Sequence, residues 1–229
     1  MNRRVSLFYV LVLPILFMSA IVAMAIGSTS LGWETVLRVV SGKLLPGRWV
    51  DISRVTEAVT VIVWLIRIPR VLVAACVGAG LAASGVIMQA LFRNPLAEPS
   101  LVGAGAGAVL GGVISFVAGW SVTSVISLPI AAMTGALLAL ALVYAMATRG
   151  GVTPVTTLLL AGVAAGSLLS AISSLLLSVN IVNWQMAQDI VFWMMGGLDA
   201  RTWTHFWLCA PFVLLGLVAA MVKCRDLDL

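Results

Sequence analysis

The sequence predicts an all-α fold, a polytopic integral membrane bundle of about six transmembrane helices. Hydrophobic residues make up 62% of the 229-residue chain and charged residues only 9%, and the mean hydropathy is +1.16. Soluble domains usually carry about 25% charged residues, so a water-soluble globule is excluded. Several uncharged runs also reach the roughly 20 residues that a helix needs to cross a bilayer.

The net charge of +5 does not indicate a nucleic-acid partner. The 13 Lys and Arg are scattered and form no basic run longer than two residues, which is typical of anchoring in membrane lipid at the interface. The three cysteines, Cys76, Cys209 and Cys224, lack the spacing of a metal site. We interpret them as packing residues, and we predict no cofactor.

The first helix is predicted over Val5 to Gly27. A signal peptide is the alternative, but the apolar run exceeds the usual length of about 7 to 15 residues, so we expect an uncleaved helix. A polar stretch, Ser28 to Glu57, follows. Within it, Thr35 to Ser41 is predicted to form a short amphipathic helix closed by Gly42.

The second helix is predicted over Val71 to Phe92, which is 22 residues without a charge. An earlier start at Ala58 would bring two arginines into the bilayer at about 2.5 to 3.5 kcal/mol each. We therefore expect the helix to begin at Pro69 or Arg70, since a proline in the first turn loses no intrahelical hydrogen bond. Arg67 and Arg70 would then lie at the outer mouth.

An elbow is predicted after this helix. Asn94 precedes Pro95, and a residue before proline is pushed out of the α region. Pro99 follows shortly afterwards, so Asn94 to Pro99 should be a tight, non-helical turn.

The third helix is predicted over Leu101 to Ala118 and the fourth over Val125 to Ala147. Gly103, Gly107 and Gly111 recur every four residues and would let a neighbouring backbone approach closely. A dinucleotide-binding fingerprint is the alternative for this glycine-rich run, but it requires a preceding strand in a soluble βαβ unit.

The fifth helix, Val155 to Ser178, carries a stripe that changes from glycine to hydroxyl. Residues four apart share a helix face. The serines either bond back to their own helix as packing residues or form the wetted wall of a transport pathway. The stripe comprises Gly162, Gly166, Ser170, Ser174 and Ser178, with Ser167 and Ser173 adjoining.

Asn180 to Asp199 is predicted to hold a short interfacial helix, because tryptophans favour that depth. The sixth helix is predicted over Trp203 to Val222. Six spans place both termini on one side, and the distribution of Lys and Arg favours a cytoplasmic location for them.

The sequence gives at most weak signals for two kinds of enzyme chemistry. The chain lacks the phosphate-binding motif of ATPases, so it is not expected to hydrolyse ATP by itself. His205 could in principle serve Ser84, in a loose likeness to intramembrane serine proteases. Nothing in the sequence brings the two side chains together.

Several distinct motifs follow one another along nearly the whole chain. They are Arg67-x-Pro69-Arg70, Gly78 to Gly85 with Ser84-Gly85, Gln89, Asn94-Pro95-Leu96-Ala97-x-Pro99, Gly103, Leu158 to Gly162, and Trp193-Met194-Met195-Gly196-Gly197. The set resembles the FecCD-like permeases of bacterial ABC importers for iron-siderophores, haem and vitamin B12.

The resemblance implies a multi-pass permease of the bacterial inner membrane, paired as a homodimer or with a second permease. It also implies a cytoplasmic ABC ATPase subunit and an extracytoplasmic substrate-binding protein as partners. Arg67 and Arg70 would face carboxylates of the binding protein. The pathway would run beside the fifth helix, along Ser167, Ser170, Ser174 and Ser178, and Gln89, Asn94, Pro95 and Pro99 form the family's elbow motif.

Length departs from the family, whose members have about ten transmembrane helices against six predicted here. We expect 1–229 to be a single transmembrane permease domain, truncated after the sixth helix. The small-residue faces at Gly103 to Gly111 and at Gly162 and Gly166 are then expected to lack covering partners. A non-transporting fragment or scaffold is the alternative to an importer permease.

Overall fold

The computed structural model describes residues 3–27, 29–45, 55–180 and 184–223. These residues are helical apart from turns and one isolated β-bridge between Arg149 and Val152. The helices are α1 (Arg3–Ala25), α2 (Trp33–Leu44), α3 (Glu57–Val61), α4 (Ile68–Phe92), α5 (Ala104–Val117), α6 (Trp120–Thr123), α7 (Ser127–Ala147), α8 (Val155–Val179), α9 (Trp184–Met194) and α10 (Trp203–Lys223).

The helical membrane fold is confirmed. Within the described residues, four helical stretches are long and apolar enough to cross a membrane: Glu57–Phe92, Ser127–Ala147, Val155–Val179 and Trp203–Lys223. Two shorter apolar helices, Val10–Ala25 and Ala104–Val117, coincide with the first and third predicted spans. At about 1.5 Å per residue, the 14 residues of α5 span only about 21 Å.

The predicted start of the second helix is wrong. Glu57–Phe92 is one continuous helical stretch of 36 residues, and Pro69 lies inside it. A π-helical turn, Ile62–Arg67, ends two residues before the proline, and the N–H of Ile68 donates to the carbonyl of Val63. Because proline has no N–H and crowds the carbonyl four residues before it, a wider turn at this point accommodates the ring.

The chain forms two compact units, of which the first comprises Met1–Val77 and Leu198–Pro211. Its core is built on Val36, Val39, Val63 and Ile68, which are all buried. The helix α2, predicted to close at Gly42, continues through it to Leu44. Both buried valines of α2 lie on its apolar face, as the amphipathic pattern predicts.

The second unit comprises Gly78–Gly197 and Phe212–Leu229. Its centre is the crossing of α5 on α7, where a Cβ added at Gly107 or Gly111 would overlap α7, and one added at Gly135 would overlap the backbone of α5. The expectation that this glycine face lacks a partner is therefore wrong. The absence of side chains lets the two backbones touch.

The predicted start of the third helix is also wrong. Gly103 has φ +75°, in the left-handed region, and separates a 3₁₀ turn, Pro99–Val102, from α5. A left-handed residue cannot continue an α-helix, and glycine adopts that conformation without strain. The other predicted boundaries at α8 and α10 agree with the structure within one residue.

Candidate functional site

Arg67 is buried in the first unit, with only 7% of its surface exposed. Its Nη1 donates to the carbonyls of Met24, at 2.7 Å, and Ala25, at 2.9 Å. Its Nη2 donates to the carbonyl and the hydroxyl of Thr29. The guanidinium therefore caps the last turn of α1, whose terminal carbonyls have no partners within their own helix.

Gly27 makes room for this contact. A Cβ at Gly27 would lie 2.8 Å from Nη2 of Arg67. The buried charge is thus surrounded by oxygen atoms of the polypeptide, which offsets the cost of removing it from water.

Arg70 lies one turn further along the same helix and is more accessible. Its Nη2 forms an ion pair with Asp199, and its Nε donates to the carbonyl of Leu198 at 3.1 Å. The exposed fractions of the two charged side chains are 43% and 64%. Arg70 can therefore meet a carboxylate from outside the chain, but it already holds one from within.

The elbow has the predicted non-helical backbone. Arg93, the first residue after α4, has φ +47°, and the side-chain Oδ1 of Asn94 accepts a hydrogen bond from the N–H of Leu96 at 2.9 Å. This Asx turn explains why an Asn before Pro95 suits the position. Ala97 is buried at the base of the elbow, whereas Leu96 is 84% exposed at its tip.

The elbow also positions the 3₁₀ turn against α8. A Cβ at Gly162 would overlap the carbonyl of Leu101 and lie 2.9 Å from the Cα of Val102. Gly162 is therefore covered by this backbone, contrary to the expectation of a bare face. Pro99 opens the 3₁₀ turn, and Gln89 is exposed on the last turns of α4.

A groove of about 560 Å³ in the second unit runs beside α8. Three of the four predicted pathway residues, Ser167, Ser170 and Ser174, line it, whereas Ser178 is exposed and lies outside the lining. Ser100 from the 3₁₀ turn and Ser173 add further hydroxyls. The groove therefore carries a polar strip on otherwise apolar walls.

Some of these hydroxyls are bonded within α8. Ser167 donates to the carbonyl of Val163 at 2.8 Å, and Ser174 donates to that of Ser170 at 3.0 Å. A donating hydroxyl still has an oxygen that can accept a hydrogen bond. The two interpretations of the stripe are thus compatible, because a serine hydroxyl can donate to a carbonyl of its own helix and still accept a hydrogen bond from a group in the groove.

The short helix α9 packs on α5 through one tryptophan. The ring of Trp193 occupies the place that a side chain at Gly112 would take, and it contacts Phe116 edge-on at 6.2 Å between centroids. The helix ends at Met194, and Gly196 in the turn that follows has φ +77°. Met194, beside this tryptophan, reaches the serine groove.

The protease alternative gains no support from the local contacts. Ser84 donates to the carbonyl of Leu81 at 3.0 Å, and Nδ1 of His205 lies 3.1 Å from the hydroxyl of Thr202. Each side chain is thus bonded within its own segment. In the described part of the chain, no group of three or more His, Cys, Asp or Glu could hold a metal ion.

Sequence reasoning missed the partners of both arginines. The carbonyls that bind Arg67 lie about 43 residues before it, and Asp199 lies far after Arg70. Every residue has a backbone carbonyl, so the residue type does not indicate which carbonyls will accept a bond from an arginine. The only available signal for Asp199 was its position between two predicted helices, next to the tryptophans.

Together these features define an all-α, multi-pass membrane protein with a serine-lined groove. The model of the FecCD transport family matches residues 15–229, so the chain belongs to that family. It is accordingly a multi-pass protein of the bacterial cytoplasmic (inner) membrane, and the family is one of transport proteins rather than enzymes.

Three curated relatives are permease proteins. The cobalamin import system permease protein BtuC of Halobacterium salinarum is 40% identical, covering 76% of this chain and 46% of that protein. The Fe(3+)-citrate import system permease protein YfmD of Bacillus subtilis is 38% identical, with 70% and 46% covered. The molybdate import system permease protein MolB of Haemophilus influenzae is 30% identical, with 92% and 60% covered.

A solved structure described as an inward-facing conformation of a metal-chelate type ABC transporter is 28% identical. It superposes with a TM-score of 0.75 over 93% of this chain and 60% of that chain. The chain thus spans about half the length of the first curated relatives it matches.

Proposed function

We propose that this chain is the permease subunit of an ABC importer that carries a ferric siderophore or a related metal chelate across the cytoplasmic membrane. The observation that carries the proposal is the likeness of 93% of the chain, at a TM-score of 0.75, to a metal-chelate type ABC transporter. The names of the relatives refer to import of cobalamin, Fe(3+)-citrate and molybdate. They support import as the activity and leave the cargo to experiment.

The serine groove supports a pathway on this side of α8. A hydrophilic chelate needs hydrogen-bond partners while it crosses the apolar bilayer. Ser167, Ser170 and Ser174 offer hydroxyl oxygens along three successive turns of one helix face. We assign the pathway wall to these residues, with Ser178 at its end.

The partners follow from what such a permease must do. An ABC importer is driven by a subunit that binds ATP, and the described residues carry no nucleotide-binding motif. We therefore propose a separate ABC ATPase, an extracytoplasmic substrate-binding protein, and a second permease copy or a paired permease.

Docking of the binding protein is assigned to the two arginines in different ways. Arg70, which is partly exposed, would contact carboxylates of the partner directly. Arg67 is buried on the end of α1, so it would support docking by holding the outer end of this helix pair in place. Charge pairs at such rims act mainly on the association rate.

The proposal is tested by uptake. A strain lacking the locus is compared with the parent and with a complemented strain for import of radiolabelled ferric siderophores, ferric citrate, cobalamin and molybdate. We expect loss of one ferric chelate and its restoration on complementation. Loss confined to cobalamin or molybdate would overturn the ferric cargo, and normal uptake of all four would overturn the importer itself.

A further inference from the structure

The thiols of two of the three cysteines influence each other within the first unit. Cys76 lies on α4 and Cys209 on α10, and both are free and partly buried. The sequence gives no sign of this, since the two residues lie on separate helices far apart in the chain.

The helix register independently places both thiols on a contact face. The two helical stretches also meet nearer their N-terminal ends, where the indole Nε1 of Trp203 donates to the carbonyl of Trp64 at 2.8 Å. In the second unit, four residues after each cysteine, a Cβ at Gly80 would lie 3.7 Å from Val213. Residues four apart share a helix face, so the cysteines lie on the faces by which α4 and α10 touch.

The surrounding backbone has room for small adjustments. Pro211 lies inside α10, two residues after Cys209, and a proline removes one helical hydrogen bond and permits local bending. Gly78, two residues after Cys76, has no atom within 4 Å of the place where a Cβ would lie. A disulfide has strict geometric needs, and such adjustments help to meet them.

We propose that Cys76 and Cys209 are an oxidisable thiol pair, which a small membrane-permeant peroxide converts into a disulfide that joins α4 to α10. Both S–H bonds break and one S–S bond forms. The two electrons and two protons pass to the peroxide, whose O–O bond breaks to give two molecules of water. A dithiol reductant reverses the change.

The consequence is a covalent link between two membrane-spanning helices. The first unit ends at Val77 in α4 and at Pro211 in α10, so the link would lie in the last turn of that unit on both helices. Oxidation would join the two helices at this turn, and reduction would remove the link. The inference does not depend on what the protein transports.

The experiment uses the full chain in its native membrane. The membranes are treated with hydrogen peroxide or with diamide, whose azo group accepts the same two electrons and two protons. Remaining thiols are then blocked with N-ethylmaleimide, and peptides are analysed by mass spectrometry. We expect a Cys76–Cys209 linked peptide from most of the protein, which dithiothreitol abolishes, while Cys224 is alkylated.

A shifted thiol is the matched control. In the double variant C76S/V77C the thiol moves by about 100° around α4, away from its partner. We expect at least tenfold less linked peptide, and none in C209S. The proposal fails if the wild-type thiols stay reduced while a reference dithiol protein in the same membranes is oxidised, if Cys224 takes part instead, or if the shifted variant links equally well.

Discussion

Arg67 carries a buried positive charge whose hydrogen-bond partners are uncharged oxygen atoms rather than a carboxylate. Four oxygen atoms from Met24, Ala25 and Thr29 surround its guanidinium. Hydrogen bonds to a charged group contribute more than neutral ones, about 1.5 to 3 kcal/mol each. Arg67 therefore contributes mainly to the stability of the first unit, and only indirectly to any docking surface.

Replacing Arg67 with Ala should lower the free energy of unfolding by at least about 2 kcal/mol, because the α1 carbonyls lose their donors. The measurement is denaturation of the purified protein in detergent with increasing dodecyl sulfate. Arg70→Ala is the matched control, since an exposed ion pair contributes about 0.2 to 1 kcal/mol. Equal losses in the two variants would contradict the capping role.

Arg70 is paired with Asp199, and a carboxylate of the proposed binding protein could replace Asp199 in this pair. Arg70→Glu should weaken docking of the binding protein at low salt, and Asp199→Asn should strengthen it up to about fivefold, because an exposed pair of this kind holds at most about 1 kcal/mol. Surface plasmon resonance on the complete permease measures both. If neither variant changes the affinity or the association rate, this arginine does not contact the partner.

At the scale of the element, the α5–α7 crossing depends on the glycines at its centre. A Cβ at Gly135 would overlap the backbone carbonyl of Gly107, which cannot move aside as a flexible side chain could. Gly105, on the same helix as Gly107, has open space around it. The two sites therefore separate a packing glycine from a permissive one.

Gly135→Ala should destabilise the second unit by about 1 to 3 kcal/mol, the usual cost of forcing an extra group into a packed contact. Gly105→Ala should be neutral or stabilising by about 0.5 to 1 kcal/mol, since alanine is the better helix former. Thermal denaturation in detergent compares them. A Gly135 variant as stable as the wild type would show that the helices can separate at no cost.

The elements differ in how far they could be predicted. Pro154 and the polar turn before it mark the start of α8, and the apolar run of α10 is flanked by polar residues, so both boundaries were correct. The start of the second span was not, because the insertion cost of Arg67 was considered without the carbonyls that offset it. The break at Gly103 was missed because a glycine within a small-residue stripe gives no sign of its φ angle.

At the scale of the whole molecule, composition alone determined the class, and the motif order determined the family. The groove was predicted only in outline. The spacing of the serines placed Ser170, Ser174 and Ser178 on one face with Ser167 adjoining, but Ser178 lies outside the groove lining. Ser100 and Met194, which do line the groove, come from other segments of the chain. Contacts between distant segments depend on tertiary packing, which local spacing does not encode.

The groove leads to a prediction about transport. Ser170→Phe should reduce uptake at least tenfold without changing protein abundance, because the ring would fill part of the groove and remove a hydroxyl. Leu168→Phe is the matched control, since Leu168 is exposed and lies outside the groove lining. Uptake assays in membrane vesicles measure both. Similar uptake by the two variants would place the pathway elsewhere.

The carbonyl cage around Arg67 also has a consequence for biogenesis. When Glu57–Phe92 leaves the ribosome and partitions into lipid, its guanidinium is costly to insert until an acceptor is present. The acceptors belong to the end of α1, which is synthesised earlier. Stable integration of this second helix therefore requires the first to remain at the insertion site, so that the two helices enter the bilayer as a pair.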